Sequence, residues 1–213
     1  MAALSAILLA NCASTDPVMQ TMQAAFKRDP GVDGAKLNPA FRYLRITIAG
    51  RTALLALGYV DDDPRGPIEV WYSAEREVLK LQNGRVVGAV GMLTEWRNVR
   101  LPELPAWSAL AREAAPRRWE RTRDVMPGYR YGLREAIALG AAPVPEKSAL
   151  RDLDAKALTW FEERVESPPA GDKALPPARY AVRMAGGRET VVYGEQCLAP
   201  ELCFTWQRWP AGT

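Results

Sequence analysis

The sequence from residue 43 to residue 91 runs YLRITI (43–48), AG (49–50), RTALLALGYV (51–60), DDDPRGP (61–67), IEVWYS (68–73), AERE (74–77), VLKLQ (78–82), NG (83–84) and RVVGAVG (85–91). In its first segment, Leu44, Ile46 and Ile48 alternate with more polar residues. A period of two places successive side chains on opposite faces, so this pattern predicts a strand with one buried face.

Two short turn signals separate the apolar runs of this stretch. Ala49-Gly50 and Asn83-Gly84 fit two-residue hairpin loops, which need positive φ angles that glycine and asparagine adopt at low cost. Strands joined this closely must be antiparallel, because a parallel neighbour needs a crossover of about a dozen residues. We therefore predict a mainly β protein, in which a single antiparallel β-meander domain curves into a half-barrel or a sandwich.

Further β signals continue to the end of the chain, and we expect residues 31–213 to form this one β domain. The expected later strands are short runs bounded by turn residues, at 92–99, 117–125, 129–139, 180–184, 190–196 and 204–209. Residues 149–165 fit a helix and a strand equally poorly. A short N-terminal helix is predicted at 16–27, with Asp16 as its N-cap and Pro17 at its first position.

Composition excludes several classes of function. The chain has 213 residues, of which 48% are hydrophobic, enough to form a core. It contains no histidine, which excludes mechanisms that need an imidazole base and metal sites that need an imidazole ligand. A net charge of +3 is too small to indicate a nucleic-acid partner. We expect no catalytic residues, no cofactor and no metal.

The N-terminus has the layout of a bacterial lipoprotein signal. The apolar run AALSAILLA (2–10) is far shorter than the roughly 20 residues of a membrane-spanning helix, and it is followed by Asn11 and Cys12. This resembles a lipobox, although Asn11 is unusual there and no basic residue precedes the run, which a translation start upstream of Met1 would explain. We expect a signal peptide at 1–11, lipidation of Cys12, and a tether with the short helix at 12–30. The alternative is an apolar tail with an incidental cysteine.

The remaining cysteines also fit an exported protein. Cys197 and Cys203 are separated by LAPEL, and in an oxidising periplasm they would close a small loop worth roughly 2 kcal/mol. The alternative is a pair of buried free thiols. Ala13, directly after Cys12, resembles lipoproteins that are sorted to the outer membrane. We therefore expect a lipid-anchored, periplasm-facing protein in the outer membrane of a Gram-negative bacterium.

One side of a predicted strand is the main candidate for ligand binding. It carries four residues at a spacing of two, namely Arg117, Trp119, Arg121 and Arg123. Guanidinium groups at this spacing would face the acidic groups of an anionic polysaccharide, with Trp119 stacking on a sugar ring. The alternative is a solvated outer face, because an antiparallel sheet with one side in water needs polar residues there.

Trp71 is a further candidate for ligand binding. Trp71 and Tyr72 are adjacent in a predicted strand and therefore point to opposite sides. One of them is expected in the core, because large aromatic side chains usually bury most of their area, and the other at the surface or in a groove.

Acidic residues offer weaker candidate sites. Residues 61–63 are three aspartates, but the PRGP that follows lacks the spacing of a calcium loop, so an ordinary polar turn is expected. Glu75 and Glu77, or Glu162 and Glu163, could supply the two carboxylates of a glycosidase, which must lie about 5–9 Å apart across a cleft. Adjacent strand residues point in opposite directions, and nothing in the sequence indicates a cleft.

Five segments resemble the YjbF family of lipoproteins, which includes the group 4 capsule lipoprotein and related products of exopolysaccharide operons. The segments are LGYV (57–60), EVWYSAERE (69–77), QNGRVV (82–87), residues 119–131 and GGRETVVYGEQCLAP (186–200). The resemblance implies a mostly β, periplasm-facing lipoprotein anchored in the outer membrane and associated with capsule or exopolysaccharide secretion. It carries over no catalytic residues.

We therefore expect a non-enzymatic lipoprotein that assists polysaccharide secretion by binding either the polymer or a protein of the export machinery. The alternatives are a polysaccharide-modifying hydrolase that uses paired carboxylates and a structural module that docks a partner. A concave pocket with two carboxylates would favour the hydrolase. An exposed apolar patch or a long unpaired edge strand would favour the docking module.

Overall fold

The computed structural model describes residues 32–211, so the predicted signal peptide, Cys12 and the predicted helix at 16–27 lie outside the described residues. Its twelve strands are β1 (Tyr43–Ile48), β2 (Arg51–Asp61), β3 (Ile68–Ser73), β4 (Val78–Gln82), β5 (Arg85–Val90), β6 (Glu95–Arg100), β7 (Arg117–Met126), β8 (Arg130–Ala142), β9 (Thr159–Ser167), β10 (Ala178–Ala185), β11 (Arg188–Ala199) and β12 (Leu202–Trp209). A single-turn helix, α1, spans Trp107–Leu110, and 3₁₀ turns span Val32–Gly34 and Ala155–Ala157. Within residues 32–211, no helix has the length and apolar character needed to cross a bilayer.

The twelve strands form one closed antiparallel ring. Each strand pairs with its neighbours in the sequence, and β1 also pairs with β12, from Tyr43 opposite Trp209 to Ile48 opposite Phe204. The predicted mainly β, antiparallel meander is confirmed, and it curves into a complete ring rather than a half-barrel. Closure gives β1 and β12 hydrogen-bonding partners that edge strands of an open sheet would lack.

The two predicted hairpin turns have the expected backbone. The φ angles are 48° at Ala49 and 76° at Gly50, and 49° at Asn83 and 79° at Gly84. Positive φ at both central residues is typical of the type I′ turn, whose twist matches that of the flanking strands. Gly84 is also needed for close packing, since a Cβ atom there would lie 2.3 Å from the Cβ of Val191. The β4–β5 turn therefore lies directly against β11.

Large apolar side chains fill the interior of the ring. The residues that are almost completely buried include three tryptophans and aliphatic residues from the first four strands, among them Trp71, Trp96, Trp206, Leu44, Ile46, Leu55, Leu79 and Leu81. They belong to one connected cluster. A ring of twelve strands needs bulky side chains, because rings of about eight strands already have an interior that side chains just fill.

Residues 149–165, which the sequence leaves unassigned, form the 3₁₀ turn Ala155–Ala157 and most of β9. Phe161 belongs to the main core, whereas its neighbour Trp160 packs in a second cluster with Leu158 and Tyr193. The first half of β9 is therefore buried on both faces. Burial on both faces removes the alternation of polar and apolar residues by which a strand is recognised.

The connection between β6 and β7 inserts into one end of the ring. Its helix α1 buries Trp107 and Leu110. The Trp107 ring centroid lies 4.8 Å from that of Phe161 and 5.3 Å from that of Tyr180, both of which are core residues. The indole N–H of Trp107 donates a hydrogen bond of 3.1 Å to the carbonyl oxygen of Asn83. Trp107 therefore plugs the end of the ring at which the β4–β5 turn lies.

Cys197 and Cys203 face each other across the β11–β12 hairpin and form a disulfide. Six positions separate them in the sequence, so the bond closes a short loop at the end of the hairpin. Cys197 is buried and Cys203 is exposed.

Replacing both Cys197 and Cys203 with Ser is expected to lower the free energy of unfolding by about 2 kcal/mol, because a short cross-linked loop restricts the unfolded chain only modestly. Denaturant unfolding of the wild type and the variant, each with and without a reducing agent, measures this difference. The reductant should destabilise the wild type by a similar amount and leave the variant unchanged. Reactive thiols at both positions in the oxidised wild type would contradict the assignment.

Candidate functional site

A cleft of about 740 Å³ lies at the end of the ring that Trp107 plugs. Its walls come from the β4–β5 turn, the segment before α1, and the ends of β1, β3, β11 and β12. Three aromatic residues line it, namely Tyr43, Trp71 and Trp107. Six charged residues line it as well, namely Arg42, Glu69, Arg85, Arg188, Glu189 and Arg208. The cleft therefore combines aromatic rings with a surplus of two positive charges.

The two glutamates of the cleft are both held by hydrogen bonds. Glu69 forms an ion pair with Arg208, at 2.8 Å between Oε2 and Nη2, and Arg208 Nε donates to the carbonyl oxygen of Val191. Glu189 accepts a hydrogen bond of 2.6 Å from the backbone N–H of Ser108, which fixes α1 against β11. These contacts hold both carboxylates in place.

The arginines of the cleft differ in exposure. Arg42 and Arg188 are exposed at its rim, where their guanidinium groups are in contact with solvent. Arg85 is only 3% exposed, and its guanidinium carbon lies 3.8 Å from the ring centroid of Trp107. A cation stacked on an indole ring is attracted by the negative face of the ring. The rim thus presents solvent-exposed charges, whereas the guanidinium group of Arg85 is buried.

Arg85 has no hydrogen-bond partner among the described residues for its Nε and Nη2 atoms, which are both buried. Burial lowers the pKa of Arg85, and the electrostatic influence of Tyr180, Glu163 and Glu189 offsets part of that shift. Buried guanidinium groups are normally satisfied by carboxylates or carbonyl oxygens, because an unpaired N–H group in the interior costs free energy. Arg85 is therefore an exception that needs a physical reason.

Two other buried arginines of the ring, Arg121 and Arg123, are paired with carboxylates. Arg121 donates to Glu135 at 2.7 Å and to Glu163 at 2.6 Å, and Arg123 donates to both oxygens of Glu135 at 2.9 and 3.2 Å. Both guanidinium groups also stack on Trp96, at 4.9 and 4.4 Å from the ring centroid. We call these four charged residues the buried ion network.

The structure corrects one interpretation of the arginine-rich side of β7. The alternation holds, but the side with Arg121 and Arg123 points into the ring, so a solvated outer face is wrong for these two residues, which are 3% and 5% exposed. Arg117 is exposed and paired with Glu113, and Trp119 packs against the core. Polysaccharide binding by this side stays a prediction, but the buried ion network occupies the N–H groups on which it relied.

Trp71 and Tyr72 divide as expected, with Trp71 fully buried and Tyr72 40% exposed. Trp71 lies at the floor of the cleft, where the guanidinium carbon of Arg208 is 5.9 Å from its ring centroid. Trp71 is therefore the one sequence-based candidate that the structure places at the cleft, and its part in ligand binding remains a prediction.

The carboxylates considered for a glycosidase lie elsewhere. Glu75 is exposed, and Glu77 is buried and accepts a hydrogen bond from the Ser73 hydroxyl. Glu162 is paired with Arg164 and Arg179, and Glu163 belongs to the buried ion network. None of these four lines the cleft.

The aspartates at 61–63 form a polar turn. Asp63 Oδ1 accepts hydrogen bonds of 2.9 Å from both the backbone N–H and Nε of Arg65, and the Gln82 amide also donates to it. These bonds, chiefly that from the Arg65 side chain, hold the pKa of Asp63 well below its ordinary value. Among residues 32–211, no group of three carboxylates or thiolates is placed to hold a metal ion.

Sequence reasoning missed most of the cleft. Its charged residues are spread from Arg42 to Arg208, and no local pattern links them. One signal was available, because Arg85 and Arg188 each follow a glycine turn and the two turns lie at the same end of a meander. These two hairpins are not neighbours in the sheet, so they approach each other only once the ring has closed.

The Glu135→Gln variant is expected to lose roughly 3–5 kcal/mol of stability at pH 7, because it leaves Arg121 and Arg123 buried without their shared carboxylate. Denaturant unfolding measures the loss. Glu120→Gln is the control, since Glu120 is paired with Arg134 on the exposed outer surface and should matter little. Equal losses in the two variants would contradict a stabilising role for the buried ion network.

The same variant has a defined pH dependence. Burial raises the pKa of Glu135, but hydrogen bonds and positive charge from Arg123 and Arg121 outweigh burial and hold this pKa below its ordinary value. A carboxylate of this kind contributes stability above its unfolded pKa, about 4.3, and the contribution is lost as the pH falls through the folded value. The difference in stability between the wild type and Glu135→Gln should therefore shrink below about pH 4. A difference that is constant down to pH 2 would oppose this reasoning.

Comparison with known proteins agrees with the fold described above. The model of the family described as "Group 4 capsule polysaccharide lipoprotein gfcB, YjbF" matches residues 35–204. Among solved structures, the ring is similar to the crystal structure of the hypothetical lipoprotein YmcC from Escherichia coli (K12), with a TM-score of 0.63 and 16% identity over 90% of this chain and 95% of that chain. The comparison with curated proteins finds no significant match.

Proposed function

Because the chain belongs to the YjbF family of group 4 capsule polysaccharide lipoproteins, we propose that it assists capsule or exopolysaccharide secretion by binding the polymer, without catalysing a reaction on it. The cleft at the plugged end of the ring is the proposed binding site. The observation that carries this proposal is the combination, in one cleft, of aromatic rings with four arginines and only two glutamates.

The contacts of the cleft suit an anionic saccharide. Guanidinium groups bind carboxylates and phosphates through paired N–H donors, and aromatic rings stack on the apolar faces of sugar rings. Arg42 and Arg188, exposed at the rim, would attract a charged polymer over several ångströms before any close contact forms. Glu69, held in place by Arg208, can accept hydrogen bonds from sugar hydroxyl groups. The rim would thus capture the polymer and the floor would orient it.

A hydrolase is the second candidate, because Glu69 and Glu189 line the same cleft. A glycosidase needs two carboxylates that are free to act on the scissile bond. Glu69 is held in an ion pair with Arg208, and Glu189 accepts a hydrogen bond from the backbone N–H of Ser108. These contacts favour binding over hydrolysis. Release of reducing ends by the wild type, and not by Glu69→Gln, would support the hydrolase instead.

We place the protein at the periplasmic face of the outer membrane, anchored through lipidated Cys12. Replacing Cys12 with Ser is expected to move the protein from the membrane fraction to the soluble fraction, since acyl chains on this cysteine supply the anchor. Globomycin should lead to accumulation of the uncleaved precursor. Cys203→Ser is the control and should stay in the membrane fraction. Mass spectrometry that finds an unmodified Cys12 in membranes would refute the anchor.

The double variant Arg42→Glu/Arg188→Glu is expected to bind an anionic polysaccharide at least tenfold more weakly, because it reverses the charge of the cleft rim. Retention on an alginate column and the amount of capsule or exopolysaccharide at the cell surface measure the effect. Arg134→Glu/Arg164→Glu makes the same charge change at two exposed arginines outside the cleft and should retain binding. Both double variants should unfold at nearly the wild-type temperature, because all four side chains are exposed. Equal retention of the two double variants would exclude the cleft as the binding site.

A further inference from the structure

Arg85, which lines the cleft, has an unused binding edge that is buried in this structure. In arginine, the Nε and Nη2 hydrogens point in parallel along one edge of the guanidinium group, and this edge matches the two oxygens of a carboxylate. Nε and Nη2 of Arg85 are the atoms that have no hydrogen-bond partner among the described residues. The two donors without partners therefore lie on one edge of the guanidinium group and can bind both oxygens of a single carboxylate.

The same chain uses this edge for carboxylates elsewhere. Arg118 donates from Nε and Nη2 to the two oxygens of Glu166, at 2.7 and 2.9 Å. Arg65 binds Asp63 in the same way, at 2.9 Å for both bonds. Arg123 uses the same two atoms on Glu135. In three arginines, therefore, a carboxylate fills the edge that is free in Arg85.

We propose that the Nε/Nη2 edge of Arg85 binds a carboxylate of the exported polymer, so that the cleft selects polysaccharides that contain carboxylated sugars such as uronic acids. The inference rests on the proposed function, because it specifies the ligand of the same cleft. It adds the chemical class of the sugar, and it identifies Arg85 as the residue that selects carboxylated sugars over uncharged ones.

A carboxylate fits this position better than a phosphate group does. A single guanidinium edge matches the charge and the planar shape of a carboxylate. Glu69 and Glu189 line the same cleft and would repel the higher negative charge of a phosphate monoester. A saccharide ring that carries the carboxylate would also lie close to Trp107, which stacks on Arg85 and lines the cleft.

Access to this edge requires a small movement at the floor of the cleft. Nε and Nη2 of Arg85 are covered by neighbouring atoms, and Trp107 lies against the guanidinium group. Trp107 lies in the connection between β6 and β7, so its displacement would leave the strand pairing intact and would cost its hydrogen bond to Asn83. Binding is therefore expected to change the environment, and hence the fluorescence, of Trp107.

The competing role for Arg85 is structural. Glu163 has one buried oxygen, Oε2, without a partner among the described residues, and it contributes to the electrostatic environment of Arg85. If Arg85 served chiefly to neutralise Glu163, removing it would destabilise the protein and leave sugar binding intact. If Arg85 serves the ligand, removing a buried and unpaired charge should leave stability unchanged or raise it, and should weaken binding.

The test uses the purified full-length chain in detergent and tetrasaccharides of galacturonate, guluronate and glucuronate-containing hyaluronan. Isothermal titration calorimetry compares each free acid with its methyl ester, which has the same rings and no charge. At least one free acid should bind tenfold or more tightly than its ester, and Arg85→Met should lose that difference. Arg118→Met is the matched control, because it removes the same edge on the exposed outer surface. Inorganic phosphate should compete poorly.

Each outcome bears on a different statement. Equal affinity for acids and esters, or an unchanged preference in Arg85→Met, would overturn the role of Arg85, while loss of binding in Arg42→Glu/Arg188→Glu would still support the cleft. Strong competition by inorganic phosphate would replace a carboxylate site with a general anion site and overturn the inference. Failure of every saccharide and of the anionic polysaccharide to bind would overturn the proposed function itself. The comparison of acids with esters uses the wild type alone, so poor folding of Arg85→Met does not prevent the test. Arg85→Lys is a second variant, which keeps the positive charge and loses the paired donors.

Discussion

The pairing of β1 with β12 is the constraint on which the rest of the structure depends. It joins residues that are more than 150 positions apart, with Ile46 opposite Trp206, and it turns a meander into a ring. The ring has one interior, so every inward side chain must share that volume with side chains from all the other strands. Among β1–β12 it also leaves no unpaired edge strand, which is the feature that a module docking its partner by strand addition would need.

A ring of this width is difficult to fill, and the chain fills it in two ways. Tryptophans at positions 71, 96 and 206 occupy the interior, and Trp107 enters from the end on the connection between β6 and β7. A single plug residue does not cover the whole end, and the space that remains beside it is the cleft. The binding site proposed here therefore arises from the closure of the ring, because the same strand ends that the plug must cover form the walls of the cleft.

Much of the fold can be predicted from the sequence, because the signals for it are local. Alternation at Leu44, Ile46 and Ile48 and the Asn83-Gly84 turn each indicate structure within a few residues, and both agree with the structure. Closure of the ring could not be predicted in this way, because no local sequence pattern in β1 or β12 indicates that the two strands pair. Burial on both faces in the first half of β9 could not be predicted for a related reason, because the segments that cover Trp160 come from outside the strand.

The candidate site was less predictable than the fold, because the role of each arginine depends on partner residues that lie far away in the sequence. Arg121 and Arg85 have the same side chain and are both nearly fully buried. What distinguishes them is that β8 and β9 bring Glu135 and Glu163 to Arg121, whereas Nε and Nη2 of Arg85 have no partner among the described residues. A pattern of arginines on one strand therefore could not tell a structural ion network from a binding site.

The arrangement of charges also suits a protein that must release what it binds. Many exposed arginines in one groove would hold a polyanion through several contacts at once, and release would then be slow. In the proposed binding site, solvent and salt would weaken the attraction exerted by the two exposed arginines at the rim, and the buried guanidinium of Arg85 would supply the selectivity. Glu69 is paired with Arg208, so these two residues together add no net charge to the attraction of a polyanion. Under the proposed function, a single selective contact within a weakly attractive cleft would allow the polymer to be recognised and then released.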